Sequence, residues 1–239
     1  MRLITAVGGA LMALTTPITT TAEEVSQSQS QSQSKSQSQA LPSCTEKYAL
    51  QSTKSSEDFL TSILNPITIN DFFENHFQKK AASSQRPGMP GYYGPMVSFE
   101  DVEYAMENGF KVSNPNKRLI YGKDWKLAKR VYRDDEYWTG IYSNGEEEMS
   151  VEEAMRAVSQ GFTVIMNGVQ SCMPNVYQSA WQLETALGYH VNVNLYISPQ
   201  GGSQGFEAHL DWMDGFIFQI TGQKVSACLY MYQCRSLIV

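Results

Sequence analysis

The chain has 239 residues, of which 42% are hydrophobic, 11% aromatic and 18% charged, so a wholly disordered or collagen-like protein is excluded. Eighteen Lys and Arg residues against 24 Asp and Glu give a net charge of −6, which lacks the basic character of a non-specific nucleic-acid binder. The four cysteines include no Cys-x-x-Cys pair, which excludes a zinc ribbon and a disulfide-rich miniprotein. The length predicts one compact domain with appended segments.

The N-terminal segment 1–22 is typical of a targeting sequence. Met1 and Arg2 are followed by an apolar run over residues 3–14 and by a Thr-rich stretch that ends before Glu23. This order resembles a secretory signal peptide, and the apolar run is too short to span a bilayer. An organellar transit peptide and a wrongly assigned start codon are the alternatives.

A polar linker is predicted over residues 23–55. Its centre, residues 26–39, reads SQSQSQSQSKSQSQ and has no apolar side chain. Such a segment has nothing to bury that would offset the entropy lost on ordering. We therefore expect a disordered linker here and a folded domain over residues 56–239.

Helical signals dominate the first part of that domain. Apolar residues at helical spacing begin near Ser56, and a short helix is expected after Thr68. Ser98 and Ser150 each precede a run with an acidic residue three positions later, which is a capping-box pattern. A Gly- and Pro-rich loop is predicted between them and the first helices, over residues 81–95.

Strand signals dominate the later part. Residues 162–166 predict a buried strand, residues 176–187 a helix with Trp181 and Leu183 in the core, and residues 190–198 an alternating strand. Short strands are expected over residues 206–223. Helices first and strands last favour an α+β fold.

His209 and Asp211 form a His-x-Asp motif within this later part. Alternate side chains of a strand point to the same face, so the imidazole and the carboxylate can bind one metal ion. Together they make two thirds of the 2-His-1-carboxylate site of non-haem Fe(II) enzymes. A surface histidine beside an acidic residue is the simpler alternative.

Five motifs in order surround His209. They are Asn194-Leu-Tyr-Ile-Ser-Pro199, the turn Gly201–Gly205, His209-Leu-Asp211, Phe216-Ile-Phe-Gln219 and Gly222-Gln-Lys224. This series resembles the JmjC oxygenases of the ribosomal-protein hydroxylase type, with one additional glycine in the turn. The resemblance extends more loosely upstream to about Leu64. It implies that the α+β domain contains a double-stranded β-helix, or cupin jelly roll, with helices packed on it.

The resemblance implies a cofactor site as well. Fe(II) would be bound by His209 and Asp211, and the cosubstrate 2-oxoglutarate would be held by Lys224 and Tyr196, with Asn194 as a weaker candidate. An ammonium and a phenol hydroxyl are suitable donors to a carboxylate. The alternatives are a surface lysine at position 224 and an Asn194 amide that merely pairs with another polar group, such as Gln219.

The sequence departs from the family pattern after Lys224. The third metal ligand of the family is a histidine several tens of residues beyond the His-x-Asp motif, whereas no histidine follows Asp211 here. His76 and His190 are interpreted as core or surface residues. We expect a chain truncated or altered at its C-terminus, with little or no activity and with strand edges that a second copy or another partner covers.

Three functions are consistent with these patterns. The first is a 2-oxoglutarate- and Fe(II)-dependent protein hydroxylase or lysine demethylase, with a ribosomal protein or a histone as substrate by analogy with the family. The others are a non-catalytic interaction fragment and a cupin-type binding protein. No direct nucleic-acid partner and no transmembrane span are expected. The N-terminus favours a secretory or organellar location, whereas the family favours the nucleus or nucleolus.

Overall fold

The computed structural model describes residues 55–86, 89, 91–111, 114–143, 148–199 and 214–222, together with short strands at 2–7, 10–13 and 237–238. The helices are α1 Ser56–Leu64, α2 Ile69–Asp71, α3 Phe99–Asn108, α4 Val151–Ser159 and α5 Pro174–Leu187. The strands are β1 Arg2–Val7, β2 Ala10–Ala13, β3 Phe110–Lys111, β4 Asn114–Arg118, β5 Trp125–Arg133, β6 Glu136–Ile141, β7 Thr163–Met166, β8 Val193–Ser198, β9 Gly215–Gln219 and β10 Leu237–Ile238.

The predicted helix starts are confirmed at both serines. In α3 the Ser98 hydroxyl accepts a hydrogen bond from the Asp101 amide (3.1 Å), and the Asp101 carboxylate accepts one from the Ser98 amide (2.8 Å), which completes a capping box. In α4 the Ser150 hydroxyl accepts from the Glu153 amide. No helix among the described residues has the length and hydropathy needed to cross a membrane.

A mixed sheet lies beside these helices, and four of its strands run antiparallel in the order β6-β5-β7-β8. β1 pairs antiparallel with β8 and β9, β2 pairs parallel with the same two strands, and β10 pairs parallel with β9. The predicted α+β class is confirmed. The targeting role of residues 1–22, which contain β1 and β2, stays a prediction.

The hairpin of β5 and β6 has only weak signals in the sequence. Its turn residues Asp134 and Asp135 both have positive φ angles, 55° and 62°, which is typical of the type I′ turns that match strand twist. Asn-Gly and Asp-Gly pairs are the usual sequence signals of such turns. Two consecutive aspartates are a weaker signal, although the residues on either side have strand character.

The core lies between one face of the sheet and the helices. Its largest fully buried side chains include Trp125 and Leu127 of β5, Met166 of β7 and Leu195 of β8. On β9, the Phe216 ring lies 6.1 Å from that of Phe72, and the Phe218 ring lies 5.0 Å from that of Tyr93. The sheet therefore presents its opposite face away from the helices.

Two sequence expectations about this core region are corrected. Trp181 is 52% exposed, whereas Leu183 is 1% exposed. Residues two positions apart on a helix lie on different faces, so α5 buries only one of the pair. The strand predicted from His190 begins at Val193, because Val191 and His190 belong to the connection after α5.

Candidate functional site

The side chains of strand β8 alternate between the core and the face that carries the candidate site residues. Val193, Leu195 and Ile197 are buried against the helices, whereas Asn194 and Tyr196 are half-buried on the opposite face. Because alternate residues of a strand lie about 7 Å apart at Cα, these two side chains are neighbours. Asn194 and Tyr196 therefore lie side by side on the face of β8 opposite the core.

A left-handed turn after β7 fixes Asn194. Gly168 has a φ of +65°, a conformation that glycine adopts without steric cost. Its amide donates to the Asn194 side-chain oxygen at 3.4 Å, and the Asn192 side-chain nitrogen lies at the same distance from that oxygen. Gln219 instead donates to the Thr221 carbonyl at 2.7 Å, so Asn194 and Gln219 satisfy separate partners.

The neighbouring strands extend this surface, which we call the polar face: Lys126 and Arg130 of β5, Thr163 of β7, and Asn194, Tyr196 and Ser198 of β8. The register pairs Lys126 with Ile165 and Ile165 with Tyr196, so these three residues form one row across the sheet. The Thr163 and Ser198 hydroxyls are buried and hydrogen-bonded at 3.1 Å. The polar face thus combines hydroxyl, amide and cationic groups.

The other predicted site residues lie outside the described part of the chain. These are His209, Asp211 and Lys224, with the turn 201–205. Strand β9 begins at Gly215, four residues after Asp211, so the motif directly precedes a described strand. Among the described residues, no group of three His, Cys, Asp or Glu side chains is arranged to hold a metal ion. The roles of the three residues stay predictions.

The other two histidines are a partly buried residue and a surface residue, and both lie apart from the polar face. His76 is 16% exposed, and its Nε2 lies 3.5 Å from an Asp71 carboxylate oxygen. His190 is 85% exposed, and its Nδ1 lies 2.6 Å from the Glu184 carboxylate, which also accepts from the Val191 amide at 2.8 Å. Neither residue lies on the strands that form the polar face.

Cys172, at the end of the turn that follows Gly168, is predicted to be unreactive in the native protein. Burial raises the pKa of its thiol to about 12, with a smaller contribution from the Asp124 carboxylate. Because the thiolate is the nucleophile, a pKa raised from 9.0 lowers the reactive fraction near pH 8 about a thousandfold. We expect iodoacetamide to modify Cys172 in urea but not in native buffer, as peptide mass spectrometry measures. Rapid alkylation of Cys172 in native buffer would contradict its assignment as a buried, protonated thiol.

Comparison with known proteins finds similarity to one family in this region. A model for the JmjC domain matches residues 172–230, a range that includes α5, β8, β9 and the His-x-Asp motif. The bifunctional lysine-specific demethylase and histidyl-hydroxylase NO66 of Brugia malayi is 24% identical over 173 residues, which cover 72% of this chain and 22% of the relative. The NO66 of Aedes aegypti is 22% identical over 189 residues, which cover 77% and 27%.

Ribosomal oxygenase 2 of Rattus norvegicus is similar over the same region. It is 23% identical over 172 residues, which cover 71% of this chain and 34% of the relative. The chain therefore spans about a fifth to a third of the length of these curated relatives. The resemblance that the five motifs predicted is confirmed at the level of the family.

Proposed function

We propose that this chain, which is similar to JmjC proteins of the ribosomal-oxygenase type, is by descent a 2-oxoglutarate- and Fe(II)-dependent oxygenase of protein side chains. The observation that supports the proposal best is the placement of Asn194 and Tyr196 side by side on the polar face. Both precede the His-x-Asp motif within the matched range. The relatives are named as a histidyl hydroxylase and lysine demethylase, so those two activities are the candidates.

The described residues fit a dianionic cosubstrate. Around Tyr196 the polar face carries the hydroxyls of Thr163 and Ser198 and the Asn194 amide, and no carboxylate lies on this face in β5–β9 as described. A carboxylate ligand gains most from charged and hydroxyl donors. This composition supports 2-oxoglutarate binding beside Tyr196, with Asn194 orienting the same ligand.

In the proposed site, His209 and Asp211 hold Fe(II), and Lys224 and Tyr196 hold the far carboxylate of 2-oxoglutarate. With O₂, the bound metal and cosubstrate supply the oxidation of a substrate C–H bond, with succinate and CO₂ as products. Asn194, fixed by the Gly168 amide, positions the ligand from the start of β8. We also propose that the sheet belongs to a double-stranded β-helix, with a ribosomal protein or a histone as substrate.

The number of available histidine ligands predicts weak Fe(II) binding by this chain. His76 and His190 are held by Asp71 and Glu184, which leaves His209 as the imidazole ligand that the motif provides. Two protein ligands bind a metal less tightly than the three of a facial triad. We therefore expect measurable cosubstrate binding with low turnover.

A Tyr196→Phe variant tests the cosubstrate site. Loss of one hydrogen bond to a charged group corresponds to about 1.5–3 kcal/mol, so we expect 2-oxoglutarate to bind at least about tenfold more weakly. Isothermal titration with Mn(II) in place of Fe(II) measures this affinity without turnover. Tyr177→Phe, at a 58% exposed position of α5, is the matched control and should bind like the wild type. Equal affinities for all three proteins would contradict the assignment of Tyr196.

A further inference from the structure

Lys126 is a half-buried cation on the polar face. It lies in one row with Ile165 and Tyr196, because β7 separates β5 from β8. Two strand spacings put the Cα atoms of Lys126 and Tyr196 about 10 Å apart. Within the described ranges, its ammonium makes no hydrogen bond or ion pair. A partly desolvated cation without a partner favours an anionic ligand.

A second cation follows on the same strand and face. The Arg130 guanidinium lies 3.7 Å above the centre of the Tyr137 ring, and that ring lies 4.9 Å from the ring of Tyr132. Tyr132 is 61% exposed and Tyr137 is 53% exposed. Stacking holds the Arg130 side chain in one direction. Lys126, Arg130 and the two tyrosines thus lie along one face of the β5–β6 hairpin, in a strip from the row of Tyr196 to the turn.

The sign of the charge on this strip indicates the ligand. Glu136 of β6 is in register with Arg133 of β5. Both residues lie on the face opposite the strip, so the Glu136 carboxylate does not contribute to its charge. Lys129 also points away from the strip, because its ammonium donates to the Gln160 carbonyl and lies near the Phe162 ring. The Asp135 carboxylate accepts a hydrogen bond from the Tyr132 hydroxyl at 3.2 Å, at the end of the strip far from Lys126. Around Lys126, charge complementarity therefore favours an anionic partner.

From this arrangement we propose that Lys126 and Arg130 form a specificity site for a protein substrate that carries an acidic side chain close to the modified residue. The inference rests on the proposed function, because the row of Tyr196 is where the cosubstrate would bind. An extended substrate segment that crosses the strands along the row of Tyr196 and Lys126 would place its target residue toward Tyr196 and its acidic side chain against Lys126, and its continuation along β5 would pass Arg130. The tyrosines would contact the adjacent part of the segment.

Fluorescence anisotropy with three pools of labelled 11-residue peptides tests this inference. Every pool has a central histidine and a random Ala, Gly and Ser background, and the residues two positions on either side of the histidine are Glu, Gln or Lys. An ion pair of partly exposed groups contributes up to about 1 kcal/mol, so we expect the full-length protein to bind the Glu pool about fivefold more tightly than the Gln pool. Lys126→Gln should abolish that preference, and Lys126→Arg should restore it.

Lys123→Gln is the matched control, because Lys123 is exposed in the turn before β5 and should keep the Glu preference. Equal binding of the Glu and Gln pools to the wild type, or a preference that survives Lys126→Gln, would overturn the inference. Tighter binding of a uridine 12-mer than of any peptide pool would also overturn it in favour of RNA.

Titration of 2-oxoglutarate with Mn(II) distinguishes this inference from the proposed function. Normal cosubstrate affinity in Lys126→Gln supports a substrate role for Lys126. Loss of that affinity would assign Lys126 to the cosubstrate site and contradict the inference. Absence of cosubstrate binding in the wild type would count against the proposed function, while the peptide preference would still be measured independently.

Discussion

A His209→Ala variant is expected to lose Fe(II)-dependent binding of 2-oxoglutarate. The proposed site has one imidazole ligand in this sequence, so its removal leaves Asp211 as the single motif ligand, and a lone carboxylate does not retain Fe(II) at micromolar concentration. The visible charge-transfer absorption of the anaerobic Fe(II)–2-oxoglutarate chelate reports the bound complex. We expect this band with the wild-type chain and no band with the variant.

His190→Ala is the matched histidine control for that experiment. His190 is 85% exposed and paired with Glu184, so its loss should leave the absorption band unchanged. An unchanged band in His209→Ala would contradict the assignment of the His-x-Asp motif. Loss of the band in both variants would indicate that the proposed division between site and surface histidines is wrong.

Leu195→Ala is expected to lower the free energy of unfolding by about 3 kcal/mol, because truncation of a fully buried leucine leaves a cavity in the core. Leu195 is 0% exposed and lies between Asn194 and Tyr196 in sequence, on the opposite face of β8. Urea denaturation followed by circular dichroism measures the change. Leu187→Ala, at the partly buried last position of α5, should cost clearly less.

Comparing the stability of Leu195→Ala with that of Tyr196→Phe tests whether the two faces of β8 have separate roles. If β8 alternates between core and site, the Leu195 variant loses stability and the Tyr196 variant loses cosubstrate affinity with stability retained. A Leu195→Ala variant as stable as the wild type would contradict the placement of β8 against the helices. A strongly destabilised Tyr196→Phe would contradict the separation of the two faces.

Local signals predicted much of the helical part of the fold. Ser98 and Ser150 cap their helices through hydrogen bonds to residues three positions away, and such short-range interactions are encoded within a few residues. The alternation in β8 was equally visible, and it placed Asn194 and Tyr196 together. The side of α5 that faces the core was misjudged at Trp181, because the helix is shielded by neighbours on one side only.

The long-range part of the site was not predictable from local pattern. Lys126 and Tyr196 are 70 positions apart in the sequence and share a row only because β7 lies between β5 and β8. Strand order depends on packing of the whole domain rather than on the residues of either strand. The hairpin that carries Arg130 and Tyr137 was missed for a local reason, the atypical Asp134-Asp135 turn.

We propose that the metal and the cosubstrate bind beside the polar face of β8. Fluorine NMR of the chain labelled with 3-fluorotyrosine tests it most directly, with Tyr196→Phe used to assign the Tyr196 signal. Addition of Mn(II) and 2-oxoglutarate should broaden the Tyr196 signal strongly and leave that of Tyr104, exposed on α3, sharp. A sharp Tyr196 signal in the presence of bound metal would contradict the claim.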